Sequence, residues 1–224
     1  YLDRLWNFAR RLDPVHNSLK AHVLYRRLVL DRTLGIHDKQ RFLEYLKLPR
    51  NMFYVRPEFL KNVANRRHLA NLKANYSPVT RLPIIGSDEK LVRSCLEHFF
   101  LREDNYRPYE PYLSDVYLKQ VFAETKIMAG QGDPEQWAAM LSPAQYQQLQ
   151  KRVDIEFAPH NRVLYGPDDP VSLLLDVKNV GTLIVKVFEV NANNYYRDKG
   201  REVNTDINLD GLVPNFERTL TYRE

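Results

Sequence analysis

The chain has 224 residues, of which 44% are hydrophobic and 27% charged, as is ordinary for a folded protein of one large or two modest domains. Its single cysteine, Cys95, excludes an internal disulfide and a zinc site built from cysteines. No apolar run approaches the roughly 20 residues that cross a bilayer, and no stretch resembles a signal peptide. The chain opens on Tyr1 and ends at Glu224 within a predicted strand, so we expect a piece of a longer protein.

The net charge of +5 is unevenly distributed along the chain. Residues 1–81 contain 17 Lys and Arg against 6 Asp and Glu, a net charge of +11, whereas residues 82–224 carry a net charge of −6. A segment this basic suits nucleic acid, an anionic membrane surface or an acidic protein face, including the acidic remainder of its own chain.

The first two thirds of the sequence contain the apolar spacing and the start and stop signals typical of helices. In residues 2–12 apolar side chains recur every three or four positions, which predicts an amphipathic helix. Asp13 and Pro14 are typical of a helix start, so a second helix is predicted to run to about Gly35. Further helices are predicted from near Asp38 to before Pro49, from Pro57 through Leu69, after Ser87 as N-cap, and from near Asp115, Asp133 and Ser142.

Two details refine this helical prediction. Residues 105–112, NYRPYEPY, contain too much proline for a regular element. Ser142 and Gln145 have the spacing of a capping box at the start of the last helix.

From Arg152 the apolar residues recur with a period of two, which predicts strands. Strands are predicted at residues 153–157, 171–180, 182–190 and 218–223, and the turn from Asn179 to Gly181 is predicted to join the second and third as a hairpin. An immunoglobulin-like sandwich takes about 100 residues, whereas residues 152–224 supply 73. We therefore predict an α+β chain, with a mostly helical domain at 1–151 and an antiparallel, immunoglobulin-like β-sandwich, cut short, at 152–224.

Residues 166–196, GPDDPVSLLLDVKNVGTLIVKVFEVNANNYY, resemble the macroglobulin-type (MG) sandwich domains of bacterial alpha-2-macroglobulin-like proteins. In both, a strand ends in an Asn-containing turn and a strand of the form TLxVKVFEV follows. The resemblance covers about the last third of the chain and implies a large multidomain protein of stacked β modules, often extracytoplasmic. The reactive thioester of that family needs a Cys followed closely by Glu-Gln, which Cys95 lacks, and the long helical region departs from the family pattern. The resemblance thus implies a non-catalytic structural or interaction segment whose partners are other domains of the same longer chain.

Residues 206–217, DINLDGLVPNFE, match the calcium-loop pattern D-x-[DN]-x-[DN]-G-x5-E. An EF-hand needs a helix on each side, whereas the residues before this loop lack helical periodicity and those after it favour a strand. The favoured interpretation is a β-connection in which Asp206, Asn208 and Asp210 cap turns and Gly211 supplies an unusual backbone angle. Calcium-dependent adhesion through Asp206, Asn208, Asp210 and Glu217 stays open as a weaker alternative, and no other cofactor is expected.

Six basic residues are candidates for binding an anion or an acidic partner. They are Arg26, Arg27, Arg50, Arg66, Arg67 and Lys73. If they converged on one face they could contact phosphates, so a nucleic-acid-binding helical module is an alternative function. No nucleic-acid motif accompanies them, and the favoured interpretation is a solvated surface that meets the acidic remainder or an acidic protein face.

Catalysis is not expected from this sequence. It has no GxSxG elbow, no GxxxxGK[ST] phosphate loop, no GxGxxG turn and no HExxH pair. The six histidines show no metal-type pairing, and the paired carboxylates Asp168 and Asp169 lie in a proline-rich turn. Cys95 lies in an apolar stretch that favours a buried structural thiol over a nucleophile.

Overall fold

The computed structural model describes residues 1–162, 165–203 and 207–222. The chain divides into two compact units. We refer to Tyr1–Lys151 with Phe157–Leu174 as the helical unit, and to Arg152–Glu156 with Leu175–Glu224 as the strand unit. The predicted domain boundary between residues 151 and 152 stays a prediction.

The regular structure of the helical unit consists mainly of α-helices. They are α1 Leu2–Ala9, α2 Asn17–Thr33, α3 Lys39–Leu46, α4 Pro57–Lys61, α5 Val63–Arg67, α6 Ser77–Thr80, α7 Glu89–Phe100, α8 Asp115–Met128, α9 Pro134–Ala138 and α10 Pro143–Lys151. Two 3-10 helices, Pro14–His16 and Arg107–Tyr109, lie before α2 and α8. Among the described residues, none of these helices combines the length and the apolar character needed to cross a bilayer.

The predicted helices are present, but three of their details were wrong. The helix predicted to run from Pro57 through Leu69 is divided into α4 and α5, because Asn62 has an extended ψ of 128° and its side chain accepts from the Ala64 N–H at 2.9 Å. The residue before α7 is Asp88 rather than Ser87. The stretch predicted to be irregular at residues 105–112 contains the second 3-10 helix. By contrast, the capping box of α10 is confirmed, since the Ser142 N–H donates to Gln145 Oε1 at 2.9 Å.

The core of the helical unit is formed by apolar faces of α2, α3, α7 and α8. Its buried members include Leu24, Phe42, Leu96, Phe100 and Val121. Phe100 packs edge-to-face against Phe122 with ring centroids 5.0 Å apart, the arrangement that aromatic quadrupoles favour. Cys95 lies in this core, and burial raises the pKa of its thiol to about 12, so the reactive thiolate is scarce near neutral pH.

The described strand unit contains two small sheets and one helix. Strands β1 Asp154–Phe157 and β2 Leu175–Lys178 pair with each other, and β3 Thr182–Val187 pairs antiparallel with β4 Phe216–Thr221. Between β3 and β4 lies α11 Ala192–Lys199. The α+β class is thus confirmed as a helical region followed by small sheets, whereas a sandwich that is cut short stays a prediction.

Two strand predictions were wrong. The predicted hairpin between residues 171–180 and 182–190 does not form, because β2 pairs with β1 and β3 pairs with β4. Asn179 has a φ of +53°, and its side-chain amide donates to the Arg152 carbonyl at 2.9 Å. This bond joins the turn after β2 to the residues just before β1. The second strand is also shorter than predicted, since it begins at Leu175, and the Leu174 N–H before it donates to the Asn161 side chain at 2.8 Å rather than to a strand backbone.

Candidate interaction surface

Residues 59–87 contain five basic residues and no Asp or Glu. We refer to this stretch as the basic segment. Its basic residues, all exposed, are Lys61, Arg66, Arg67, Lys73 and Arg81. Among the described residues none of the five takes part in an ion pair, and Lys61 alone is near enough to a carboxylate, that of Glu58, to lower its pKa. The charges of Arg66, Arg67, Lys73 and Arg81 are thus not paired with a carboxylate there.

The basic segment has little regular structure, yet it is fixed to the rest of the helical unit. Its short helices α5 and α6 are joined by irregular backbone whose polar groups are satisfied from outside. These bonds are Asn17 Nδ2 to the His68 carbonyl at 2.9 Å, the Ala70 N–H to the Pro49 carbonyl at 2.7 Å, the Asn71 N–H to Ser18 Oγ at 2.9 Å, and the Tyr1 hydroxyl to the Thr80 carbonyl at 2.8 Å. Within the segment Ala70 and Leu72 are buried, so its basic residues belong to an ordered surface.

Apolar side chains are interspersed with these charges. Val63, Val79 and Ile84 expose 66%, 78% and 46% of their surface, and Leu69 is also exposed. Arg beside exposed apolar side chains is a composition enriched in protein–protein interfaces. The basic segment is therefore the candidate interaction surface of the described chain.

Two of the basic residues singled out in the sequence, Arg26 and Arg27, lie on α2 and bond within the helical unit. Arg26 donates from Nη2 to the carbonyls of Pro83 and Ile84, at 3.0 Å for the latter. Arg27 pairs with Asp3 at 3.0 Å and with Asp31 at 3.1 Å. These two side chains position neighbouring segments.

Arg50 lies in the core, where it exposes 1% of its surface. Its Nε donates to Asp88 Oδ2 at 2.7 Å, and its Nη1 donates to the carbonyls of Tyr45 and Leu48 at 3.0 and 2.9 Å. The hydroxyls of Tyr45 and Tyr54 donate to the same carboxylate. Burial alone would lower the pKa of Arg50, but these neighbours hold it above its ordinary value. Arg50 therefore stabilises the core and is not a surface charge.

Three of the six predicted residues, Arg66, Arg67 and Lys73, are thus exposed members of the basic segment. Lys61 and Arg81 were missed. The signal that would have found them is the absence of any acidic residue from 59 through 87, which a net charge taken over residues 1–81 conceals. A binding role for any of these residues stays a prediction.

The calcium-loop residues are arranged as parts of a β-connection where the structure describes them. Asn208 Oδ1 accepts from the Asp210 N–H at 2.8 Å, and Gly211 has a φ of +81°. Glu217 lies in β4, where its Oε2 is 3.7 Å from Nζ of Lys186 on β3. Asp206 lies outside the described residues. Within the described ranges no group of three or more His, Cys, Asp or Glu is placed to hold a metal ion.

The expectation that no helix precedes this loop was wrong, because α11 lies there. It ends at Lys199, well before the loop, and the loop leads into β4 rather than into a second helix. An EF-hand needs a helix after its loop, whereas this loop is followed by a strand.

Comparison with known proteins identifies the family. A family model described as "Actin-binding protein F N-terminal domain" matches residues 1–153, and another, "AbpF first immunoglobulin-like domain", matches residues 183–224. The chain belongs to the actin-binding protein F family. It is 33% identical over 219 residues to "Actin-binding protein F" of Dictyostelium discoideum, covering 97% of this chain and 9% of that protein. The chain thus spans less than a tenth of the length of this relative. No solved structure matches the chain.

These matches overturn the resemblance to alpha-2-macroglobulin-like proteins. The resembling residues fall in or beside a stretch that matches an immunoglobulin-like domain of a different family. Alternating strands around an Asn-containing turn recur in many such sandwiches, so the pattern did not distinguish between families. The macroglobulin-like function and the extracytoplasmic location implied by that resemblance were therefore wrong, and the comparisons support neither the nucleic-acid nor the calcium alternative.

Proposed function

We propose that this chain is an actin-binding segment without catalytic activity, and that its basic segment contacts actin. The family model that matches residues 1–153 is described by actin binding, and so is the Dictyostelium relative. Contact with actin would place the chain in the cytoplasm. We further propose that the helical unit makes this contact and that residues 183–224 begin an immunoglobulin-like module that follows it.

The observation that carries the proposal is the uncompensated charge of the basic segment. Five exposed basic side chains lie within 29 residues that contain no carboxylate. A partner with an acidic face would offset this excess of positive charge, and the attraction would speed the encounter. The exposed Val63, Val79 and Ile84 between them add apolar area that a bound protein surface would bury. Charge and apolar area together favour a protein partner.

Co-sedimentation of the chain with filamentous actin over a series of salt concentrations tests this function. The unaltered chain should sediment with actin at low salt, and binding should weaken as salt screens the basic side chains. The double variant Arg66→Glu/Arg67→Glu should raise the Kd by about tenfold, which corresponds to about 1.4 kcal/mol.

The matched control is Arg10→Glu/Arg11→Glu, an exposed adjacent pair outside the basic segment that changes the net charge equally. Its Kd should stay within about twofold of the unaltered chain, since distant exposed charges contribute little at moderate salt. No sedimentation of the unaltered chain at low salt would refute actin binding. An equal loss in both double variants would refute the basic segment as its site.

A further inference from the structure

A pocket of about 270 Å³ opens between the basic segment and residues 50–52. Its apolar lining includes Met52, Leu69, Ala70 and Leu72, and Arg50, Asn51, Asn71, Lys73 and Gly86 complete it. Small-molecule sites usually enclose roughly 300–1,000 Å³, so this pocket suits one or two side chains of a partner better than a whole cofactor.

The walls of the pocket are fixed before anything binds. The Ala70 N–H bonds to the Pro49 carbonyl at 2.7 Å, and the Gly86 N–H bonds to the Leu72 carbonyl at 3.2 Å. The Lys73 N–H bonds to Asn71 Oδ1 at 2.9 Å. Because these bonds already order the lining, an occupant would lose little free energy to rearrangement of the protein.

The polar groups of the pocket favour an acceptor that carries negative charge. Lys73 is exposed at the pocket, and Arg66 and Arg67 lie just before its lining residues in the chain. Arg50, among the lining residues, has a buried Nη2 donor without an acceptor among the described residues. Because the Arg50 guanidinium is buried and already paired with Asp88, Lys73 is the lining cation that a carboxylate of an occupant can reach.

We propose that this pocket receives an acidic segment of actin in which an apolar side chain adjoins an Asp or Glu. The apolar side chain would fill the space between Leu69 and Leu72, and the carboxylate would pair with Lys73. A few side chains that enter well-packed, desolvated pockets typically contribute most to the affinity of an interface. This inference rests on the proposed actin binding, because it names the part of the partner that the basic segment holds.

A peptide experiment tests the pocket without actin. A short peptide of alternating Glu and Leu is titrated into the isotope-labelled chain, and backbone amide shifts are followed by NMR. Saturable shifts should concentrate at residues 50–52, 69–73 and 86. A peptide with Lys in place of Glu, and one with Ser in place of Leu, should bind at least about tenfold more weakly. Equal binding of all three peptides, or shifts only elsewhere, would overturn the proposal.

Variants of the lining then connect the pocket to actin. Ala70→Phe fills the pocket and Leu69→Ala removes part of its apolar wall, and each should raise the Kd for filamentous actin by about tenfold. Val116→Ala, an exposed apolar truncation on α8, is the control and should leave that Kd unchanged. Leu69 is 39% exposed, so its truncation tests the pocket even if the larger Ala70→Phe side chain disturbs folding.

The two proposals fail in different ways. If the unaltered chain binds actin but Leu69→Ala and Ala70→Phe bind it equally well, the pocket is refuted and actin binding stands. If the Glu-Leu peptide binds at the pocket but the chain never sediments with actin, actin binding is refuted and the acidic-segment preference of the pocket stands with a different protein partner.

Discussion

Arg50 and Asp88 form an ion pair that is buried in the core, where water does not solvate either charge. Arg50 exposes 1% of its surface and Asp88 none. The carboxylate of Asp88 accepts from Arg50 Nε at 2.7 Å and from the hydroxyls of Tyr45 and Tyr54. Burial raises the pKa of both tyrosines, so their hydroxyls stay protonated donors across the ordinary pH range.

We predict that Asp88→Asn lowers the free energy of unfolding by about 3–5 kcal/mol, because it leaves the Arg50 guanidinium buried without a counter-charge. Urea denaturation followed by circular dichroism measures the change. The double variant Arg50→Met/Asp88→Leu removes both charges and should cost less than the single change. A loss below about 1 kcal/mol for Asp88→Asn would show that the pair adds little.

Arg50 shows that the sequence alone does not indicate whether a single basic residue is buried or exposed. It was selected as a surface charge because it is basic and lies in a basic third. Its partner Asp88 is 38 positions away, and a pair at that separation leaves no local pattern. By contrast, Arg66, Arg67 and Lys73 lie in a stretch without acids, and that feature is legible in the sequence alone.

At the scale of elements, the long helices were predictable and α11 was not. α7 has apolar residues at helical spacing because it buries one face in the core, and α8 has enough apolar residues to be buried on most sides along 121–126. α11 has no buried residue, so it carries no apolar stripe to detect. The signal present was at its ends, with Asn191 as N-cap and Gly200 at a φ of +66° after the last turn.

The hairpin predicted between β2 and β3 was also wrong because the sequence pattern does not record contacts between distant residues. Period-two alternation identified β2 and β3, but it does not say which strands are neighbours. Pairing was decided by contacts distant in the chain, such as the bond from Asn179 to Arg152 and the register that places Thr182 opposite Thr221.

α11 offers a prediction in which the same substitution has opposite effects at two positions. Asn191 accepts from the Asn194 N–H at 3.0 Å, so Asn191→Ala should destabilise the helix by about 1 kcal/mol. Asn193→Ala, within the helix and exposed, should stabilise it by a few tenths of a kcal/mol, because Ala has the higher helix propensity.

Amide hydrogen exchange of residues 192–199 separates the two effects, since a helix without buried residues opens locally. Exchange should be faster in Asn191→Ala and slower in Asn193→Ala. Equal exchange in both variants would mean that the cap does not control this helix.

At the scale of the whole molecule, three histidines of the helical unit lie in surroundings that disfavour the protonated imidazole. His22 is buried, and its pKa is lowered by burial and by Arg26. Its Nε2 is 3.4 Å from Thr80 Oγ1, which ties α2 to the basic segment. The rings of His37 and His98 are stacked with centroids 3.4 Å apart, and the pKa of each is lowered by burial and by Arg102, that of His37 also by His98 and Arg32.

These shifts predict that the helical unit loses stability in mild acid. Because each folded-state pKa lies below the ordinary value of 6.5, the unfolded chain binds more protons as the pH falls through that value. The free energy of unfolding should therefore be nearly constant above about pH 7 and should fall between about pH 6.5 and 5, before most carboxylates titrate. Urea denaturation at a series of pH values measures this slope.

His22→Gln should reduce the slope, whatever it does to stability at pH 8, because it removes one of the groups whose protonation differs between the two states. His160→Gln, which replaces an exposed histidine outside these contacts, is the control. A free energy of unfolding that stays constant from pH 7 to 5 in the unaltered chain would mean that these histidines charge as readily in the folded protein as in the unfolded one.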